Sequence, residues 1–210
     1  GVIETNWTVP GNATIGTYNI TITNSTALGT VKAVLDTQTF EVVRSVFSAQ
    51  FQTQNLNGEP LVGATVRVVN STRTLSGNTN ETGWVEFLID ADVYRVEAYW
   101  KDALVNATTD FPLTKNVRQV LKCQVTHLEI IVDDKARNPL PFVNIVMTSN
   151  YATIKAAVSK RESFETNFTG TLDIRNILVN ANYTIEARRY GCLFHTTLIQ
   201  SLTAKRWNNI

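Results

Sequence analysis

The sequence predicts an all-β protein in which two antiparallel β-sandwiches follow an incomplete N-terminal β element. Three observations predict it: many strand and turn formers, apolar residues that alternate with period two, and an internal repeat. Thr (29 residues) and Asn (20 residues) are abundant, whereas Lys and Arg together number 19. The chain has 210 residues, enough for two compact domains at roughly 100 to 200 residues each.

The internal repeat divides most of the chain into two similar halves. Three pairs of segments match in the same order: 57–68 with 138–147, Asn80–Gly83 with Asn167–Gly170, and Tyr94–Ala98 with Tyr183–Ala187. We therefore expect an N-terminal β segment at 1–44, a first sandwich at 45–122 and a second at 123–210. Residues 116–132 contain no Gly, Pro or Ser, so the junction between the sandwiches should be stiff.

Each half contains stretches with one apolar face, which is the pattern of a half-buried antiparallel strand. Such alternation is found at Phe47, Ala49 and Phe51, at Ala64, Val66 and Val68, and at Leu128, Ile130 and Val132. Turn formers such as Asn57-Gly58 separate the stretches. Only 151–160 is a candidate helix, and it falls where the second half carries an insertion.

The first half resembles the carboxypeptidase-regulatory-like modules, which are small transthyretin-like, Ig-like sandwiches of extracellular proteins. The resemblance is carried by Pro60, Leu61, Gly63, Ala64, Val66, Gly83, Tyr94 and Val96. The second half keeps Gly170 and Tyr183 but has Phe142-Val143-Asn144 where the Gly-Ala pair is expected. The resemblance implies a scaffolding role and supplies no catalytic residues.

The N-terminal segment resembles the end of an Ig-like surface domain. It contains Trp7-Thr-Val-Pro10, then 16–22, then a closing run at 39–43. These runs make three or so strands, whereas a full sandwich needs about seven strands and about 100 residues. Missing upstream residues, packing onto the same chain, and completion by a partner chain through strand donation are three open explanations.

Strand exchange is the explanation we favour for this segment. Tyr18, Ile20 and Ile22 alternate along one strand and should face a core, whereas Asn19 should face outward. Tandem sandwiches with an incomplete N-terminal element resemble the subunits of archaeal thread filaments, which are surface pili built by donor-strand complementation. The resemblance implies a homopolymer of identical subunits, joined head to tail outside the cell.

Potential N-glycosylation sites are numerous. Nine Asn-x-Ser/Thr triplets begin at Asn6, Asn12, Asn19, Asn24, Asn70, Asn80, Asn106, Asn167 and Asn182. With 20 Asn and 38 Ser plus Thr in 210 residues, chance gives about 3.6 triplets. The excess predicts covalent N-glycans on a secreted, cell-surface protein. The chain starts at Gly1 and its single Met is Met147, so a removed signal peptide is also expected.

Two cysteines, Cys123 and Cys192, suggest one disulfide in an exported protein. The bridge would close a loop of about 70 residues and contribute on the order of 4 kcal/mol. A zinc site made of these cysteines with His127 and His195 is the rival interpretation. Residues four apart on a strand lie about 13 Å apart, so strand geometry argues against zinc.

No pattern in the sequence indicates catalysis, and we expect neither a cofactor nor a metal. Charged residues make up 18% and the net charge is +1, which gives no footprint for nucleic acid. No apolar run is long enough to cross a membrane. The alternative function is a monomeric adhesin, a carbohydrate-binding module or a surface-layer component, in which Trp7, Trp84, Trp100 and Trp207 would stack on sugars.

Overall fold

The computed structural model describes residues 8–9, 13–25, 31–200, 202 and 207–209, and it confirms the all-β fold class. The described residues form sixteen strands in five sheets. None of them belongs to a helix long and apolar enough to cross a membrane. Contacts divide the chain into two compact units, Gly1–Val46 and Phe47–Ile210.

The first unit contains one antiparallel hairpin of two strands. Strand β1 (Gly16–Ser25) pairs with β2 (Val31–Val42), and Tyr18 lies opposite Phe40. The register shifts between Ile22 and Thr23, where the hairpin carries an irregularity. The alternation of apolar residues with Thr and Asn along β1 is what gives this segment its extended conformation.

The first sandwich contains seven strands in two sheets. Its strands are β3 (Val46–Gln54), β4 (Thr65–Val69), β5 (Thr74–Asn78), β6 (Trp84–Asp90), β7 (Asp92–Trp100), β8 (Ala103–Leu113) and β9 (Val117–Lys122). One sheet has the order β6-β3-β9 and the other the order β5-β4-β7-β8. Strands β3 and β9, the first and last of the sandwich, are parallel.

The second sandwich repeats this arrangement strand for strand. Its strands are β10 (Val125–Ile131), β11 (Asn144–Ala152), β12 (Ala157–Glu165), β13 (Thr171–Leu178), β14 (Asn182–Arg189), β15 (Cys192–Ile199) and β16 (Trp207–Asn209). The sheets have the orders β13-β10-β16 and β12-β11-β14-β15, and β10 is parallel to β16. Both halves of the sequence repeat therefore have one topology.

The candidate helix at 151–160 was wrong, because this segment is the turn of a hairpin. Strands β11 and β12 pair along their whole length, and Thr153 N donates to Ala156 O at 2.9 Å. Strand β11 also pairs with β14, and its residues Ile145 and Met147 are buried. Pairing on both sides of β11 outweighs the weak local helix preference of the Ala and Lys residues after it.

Each sandwich buries one large tyrosine at the corresponding place in its core. Tyr94 donates its hydroxyl to Asp90 O at 2.9 Å, and Tyr183 donates to Leu178 O at 2.7 Å. Both rings are nearly inaccessible to water. The segment that matched in the two halves of the sequence is thus the strand that carries this tyrosine into the core.

The two sandwiches are joined directly, with Cys123 and Gln124 between them. Gln124 N donates to Val105 O in the first sandwich, and Val179 N in the second donates to Gln124 O. The indole Nε1 of Trp100 donates to Asn176 O across the junction at 2.8 Å. Hydrogen bonds from both sides therefore hold the short connection, and Phe47–Ile210 form one compact unit.

Candidate functional site

The N-terminal hairpin exposes an apolar stripe. Tyr18, Ile20 and Ile22 lie on one face of β1 and are 36%, 47% and 37% exposed. Phe40 of β2 lies on the same face, and its ring stacks on Tyr18 with centroids 5.7 Å apart. The Tyr18 hydroxyl is occupied locally, because it donates to Thr14 O at 2.7 Å. The predicted strand-exchange residues thus form a stripe of which the hairpin covers only part.

The opposite face of the hairpin is polar. Thr17, Asn19 and Thr21 project from β1 on this side, and Thr39 Oγ1 of β2 donates to Asn19 Oδ1 at 2.9 Å. Asn19 is exposed. Among the described residues, β1 pairs only with β2, so its other edge presents unpaired backbone groups. Such an edge can accept another strand.

The sequons differ in how the side-chain nitrogen that would carry the sugar is held. Asn80 and Asn167 are exposed, and the Oδ1 atom of each accepts a hydrogen bond from the hydroxyl of the Thr two residues later, Thr82 or Thr169. By contrast, Asn106 donates its Nδ2 to Lys122 O at 2.8 Å, and its Oδ1 is buried without a partner among the described atoms. Exposure favours glycans on Asn80 and Asn167 over Asn106.

The other sequons fall between these cases or outside the described residues. Asn182 is exposed, whereas Asn70 is half-buried and donates its Nδ2 to Asp92 Oδ2 at 2.8 Å. Asn6 and Asn12 lie outside the described residues. Asn24 is placed as a backbone position of β1. Occupancy of every sequon stays a prediction.

The predicted disulfide is absent from the structure, in which both cysteines are free. Cys123 is completely buried at the junction, whereas Cys192 is exposed. Val125, just after Cys123, pairs with Leu178, but Cys192 pairs with Arg189 at the far end of β14. Strand β14 begins at Asn182, shortly after Leu178, and ends at Arg189, so it separates the two cysteines. It spans about 23 Å at roughly 3.3 Å per residue. A disulfide needs Cα atoms within about 7 Å, which explains the free thiols.

The two histidines also lie apart, so the rival zinc site has no geometric basis. His195 Nε2 is 2.8 Å from Thr197 Oγ1 on an exposed strand, whereas His127 is buried at the junction. Within the described ranges, no three His, Cys, Asp or Glu side chains form a group that could hold a metal ion.

The buried histidine belongs to a polar network between the sandwiches. His127 Nδ1 accepts the backbone N–H of Asn176 at 3.2 Å, which places the ring proton on Nε2. Nε2 is 2.8 Å from Glu59 Oε2 and donates to it. Asn55 connects the network, since its Nδ2 donates to Glu59 Oε2 and to Asn176 Oδ1.

Electrostatics at this network favour an ionised Glu59. The hydrogen bond from Asn55 is the largest influence that lowers the pKa of Glu59 below its ordinary value of 4.5, and burial partly opposes it. The hydrogen bond from His127 lowers the pKa of Glu59 further. Apart from Asn55 and Glu59, which are four positions apart, the network joins groups 49 to 121 positions apart in the chain, so no local motif in the sequence marks the whole of it.

The tryptophans whose side chains are described have structural partners and do not form one platform. The guanidinium of Arg118 lies 4.4 Å from the centre of the Trp84 ring. Trp100 holds the junction through Asn176. Trp7 lies outside the described residues, and Trp207 is placed only as a backbone position of β16.

Comparison with protein-family models and with curated proteins finds no match. Solved structures, by contrast, include similar chains. The chain is similar to the Bacillus anthracis TIE protein, at 14% identity over 96% of this chain and 44% of that one, with a TM-score of 0.35. The shaft pilin SpaA of Lactobacillus rhamnosus GG matches at 11% identity over 79% of this chain and 96% of its own, with a TM-score of 0.46. A streptococcal ancillary pilin matches at 10% identity over 94% of this chain and 75% of its own, with a TM-score of 0.32.

These similarities are distant. The chain spans less than half of the length of the Bacillus anthracis protein, and the three TM-scores are below 0.5. What those proteins do is therefore a property of those proteins.

Proposed function

We propose that this chain is a structural subunit of an extracellular, glycosylated surface filament, in which identical copies join head to tail by pairing β-strands. The observation that carries the proposal is the N-terminal hairpin, with its open β1 edge and its exposed stripe of Tyr18, Ile20 and Ile22. The proposal assigns the chain no catalytic role, no cofactor and no insertion into a membrane.

An isolated two-stranded sheet is marginally stable in water, and further strands or a packed face are needed to stabilise it. Fully burying an apolar side chain of this size contributes about 1.5 to 3 kcal/mol. Ile20, 47% exposed, has much of that contribution still to gain. A partner that pairs with β1 would satisfy its backbone edge and cover the stripe in one step.

The polar face of the same hairpin supports an extracellular fibre. Asn19 begins a sequon and points away from the stripe, so a glycan there leaves the apolar face free to pack. Asn80 and Asn167 are exposed on the two sandwiches. Bulky polar sugars at these positions would keep neighbouring fibres from pairing laterally.

The test compares two residues on opposite faces of β1. Ile20→Lys places a charge in the stripe and should abolish filaments, because an unpaired buried charge is strongly unfavourable. Thr17→Lys is the matched control, since it adds the same charge on the polar face without altering a sequon and should leave filaments unchanged. Sedimentation and negative-stain microscopy of the full chain measure both.

A variant lacking residues 1–44 should be monomeric with its sandwiches folded. If the wild-type chain is itself monomeric, the filament proposal is wrong, and a monomeric adhesin, a carbohydrate-binding module or a surface-layer component takes its place. If Ile20→Lys and Thr17→Lys both polymerise like the wild type, the chain polymerises without the hairpin stripe.

A further inference from the structure

The second sandwich contains a cavity of about 270 Å³ at the side where β12 and β13 form the edges of its two sheets. Its apolar lining consists of Met147, Phe164, Ile174, Ile177, Leu178 and Tyr183. The hydroxyl of Ser149, also in the wall, donates to Lys160 O at 3.3 Å, and that of Tyr183 donates to Leu178 O. Both hydroxyls are therefore occupied, and the buried part of the wall is apolar.

The corresponding side of the first sandwich is filled. The strand registers place Leu75 of β5 where the second sandwich has Glu162 of β12. Leu75 packs against the core, and a Cβ at nearby Gly77 would lie only 2.8 Å from Val85 Cγ2. The cavity is therefore a property of the sequence of the second sandwich and not of the fold that both sandwiches share.

Charged side chains surround the mouth of this cavity. Three are cations and two are carboxylates, which leaves a net charge of +1: Lys101, Lys160, Arg175, Glu162 and Asp173. Lys160 Nζ lies 2.7 Å from Glu162 Oε1, so these two charges form a pair within β12. Asp173 and Arg175 are exposed at alternate positions of β13, where their opposite charges offset each other. Lys101 is the cation that remains.

Lys101 belongs to the first sandwich and reaches the cavity from the turn between β7 and β8. The turn is anchored to the second sandwich, because Ile154 N donates to Asp102 O at 3.2 Å. Lys155 lies 4.0 Å from Asp102. Within the described part of the chain, by contrast, the amine of Lys101 makes no hydrogen bond or ion pair. It is therefore held beside the cavity without a counter-ion.

Electrostatics at Lys101 favour an added anion. The side chain is exposed as a whole, but partial burial lowers the pKa of its amine below the ordinary value of 10.5. The charge of Glu162 raises this pKa and that of Lys160 lowers it. A carboxylate would give the ammonium a charge-assisted hydrogen bond, which is about twice as strong as a neutral one.

The volume limits the size of a ligand. An apolar cavity of about 150 Å³ holds benzene, which has six carbon atoms, so a cavity of about 270 Å³ holds roughly ten non-hydrogen atoms. We propose that this cavity binds a small amphipathic carboxylate, with its apolar body between the sheets and its carboxylate on the ammonium of Lys101. This binding is additional to the proposed filament and does not depend on it.

Titration calorimetry of the full chain with three probes tests the ligand class. Hexanoate, hexanol and hexylammonium share one apolar chain and differ in the charge of the head group. Hexanoate should bind about tenfold or more tightly than either of the others, because a hydrogen bond between charged groups is worth at least that factor. Equal binding of hexanoate and hexylammonium would overturn the proposal.

Two substitutions at exposed lysines test the role of Lys101. Lys101→Gln should weaken hexanoate about tenfold or more and leave hexanol unchanged. Lys155→Gln is the matched control, since Lys155 lies near the same turn but does not line the cavity, and it should leave hexanoate binding unchanged. Equal losses in the two variants would overturn the assignment to Lys101.

A third variant tests whether the ligand occupies the cavity. Ser149 is buried in the wall, so Ser149→Leu should fill part of the space and weaken hexanoate and hexanol alike. Unchanged binding in a folded Ser149→Leu chain would overturn the proposal. So would a folded wild-type chain that binds no hexanoate at millimolar concentration, and Glu162 and Lys160 would then be inward charges that protect an edge strand.

Discussion

The two sandwiches share seven strands and one strand order, yet their corresponding ends lie in different surroundings. The turn at Lys101–Asp102 of the first sandwich contacts the second, where Ile154 N donates to Asp102 O at 3.2 Å. The corresponding turn of the second sandwich holds Tyr190 and Gly191, and Tyr190 is 93% exposed. The same topology therefore produces a joint at one place and a free surface at the other.

A single residue pair shows how the sequence accommodates this difference. Asn55 Oδ1 accepts the N–H of Glu59 in the first sandwich, and Asp134 Oδ1 accepts the N–H of Asn138 in the second, so both turns have one shape. Glu59 reaches across the junction to His127, whereas Asn138 bonds back to Asp134 at 3.0 Å. The hydrogen bonds to the backbone thus give both turns the same shape, whereas the exposed side chain at the end of each turn decides whether it contacts the other sandwich.

The largest expected loss of stability comes from substituting the glycine of the tight turn that both sandwiches contain. Gly83 and Gly170 have φ of +77° and +71°, and a Cβ at Gly170 would lie 2.6 Å from Val132 O. Gly170→Ala should lower the free energy of unfolding by about 2 to 5 kcal/mol, from left-handed strain and the clash together. Denaturant unfolding at constant pH measures it.

Gly191→Ala is the matched control for this prediction. Its φ is +80°, but a Cβ there meets nothing within 4 Å, so only the strain of roughly 1 to 2 kcal/mol applies. Gly83→Ala should resemble Gly170→Ala, because its Cβ would lie 2.9 Å from Thr53 O. Equal losses for Gly170→Ala and Gly191→Ala would contradict the clash.

Removing the hydroxyl of a buried tyrosine should give the next largest loss of stability, and the loss should differ between the two sandwiches. Burial raises the pKa of the Tyr183 phenol, whose hydroxyl is enclosed at Leu178 O. Tyr183→Phe leaves that carbonyl without its donor and should cost about 1 to 3 kcal/mol. The bond from Tyr94 to Asp90 O is only partly buried, so Tyr94→Phe should cost about 0.5 to 1.5 kcal/mol. Thermal unfolding of both variants measures which loses more stability. A larger loss for Tyr94→Phe than for Tyr183→Phe would contradict this prediction.

A smaller effect concerns pH at the junction. The pKa of Glu59 in the folded protein lies below its ordinary value of 4.5. Glu59 therefore adds to the free energy of unfolding above pH 4.5, and this addition is lost as the pH falls through the pKa of the folded protein. The loss should be small, since the side chain is 47% exposed. Glu59→Gln should flatten the fall in unfolding free energy between pH 6 and pH 3, measured with denaturant. Identical pH profiles for the variant and the wild type would remove Glu59 from the acid response.

The smallest expected effect is on stability under reducing conditions. Burial raises the pKa of the Cys123 thiol to about 12, so it should be inert, whereas Cys192 is exposed. A maleimide should label one thiol in the native protein and two after denaturation, and a reducing agent should leave the melting temperature unchanged. Native protein that takes up label only after reduction would restore the predicted disulfide.

Much of the fold could be predicted from sequence because it follows local periodicity. Phe51 and Ile130 are buried on the central strands where alternation predicted them, and Gly83 and Gly170 lie in equivalent turns. The candidate helix at 151–160 failed because these residues form the hairpin between β11 and β12, and β11 is held by pairing with β14, which is more distant in the chain. Sequence reasoning also selected the hairpin stripe of Tyr18, Ile20 and Ile22, whose exchange stays a prediction.

The sequence by itself determined the all-β class, the repeat and which residues of each strand are apolar, because these depend on neighbours one to four positions apart. Only the tertiary structure decided that Cys123 and Cys192 lie at opposite ends of a sandwich and that Glu59 meets His127. Each of these depends on which distant segments pair and for how many residues. Strand pairing uses backbone groups that every residue carries, so the side-chain pattern specifies strands more clearly than their partners.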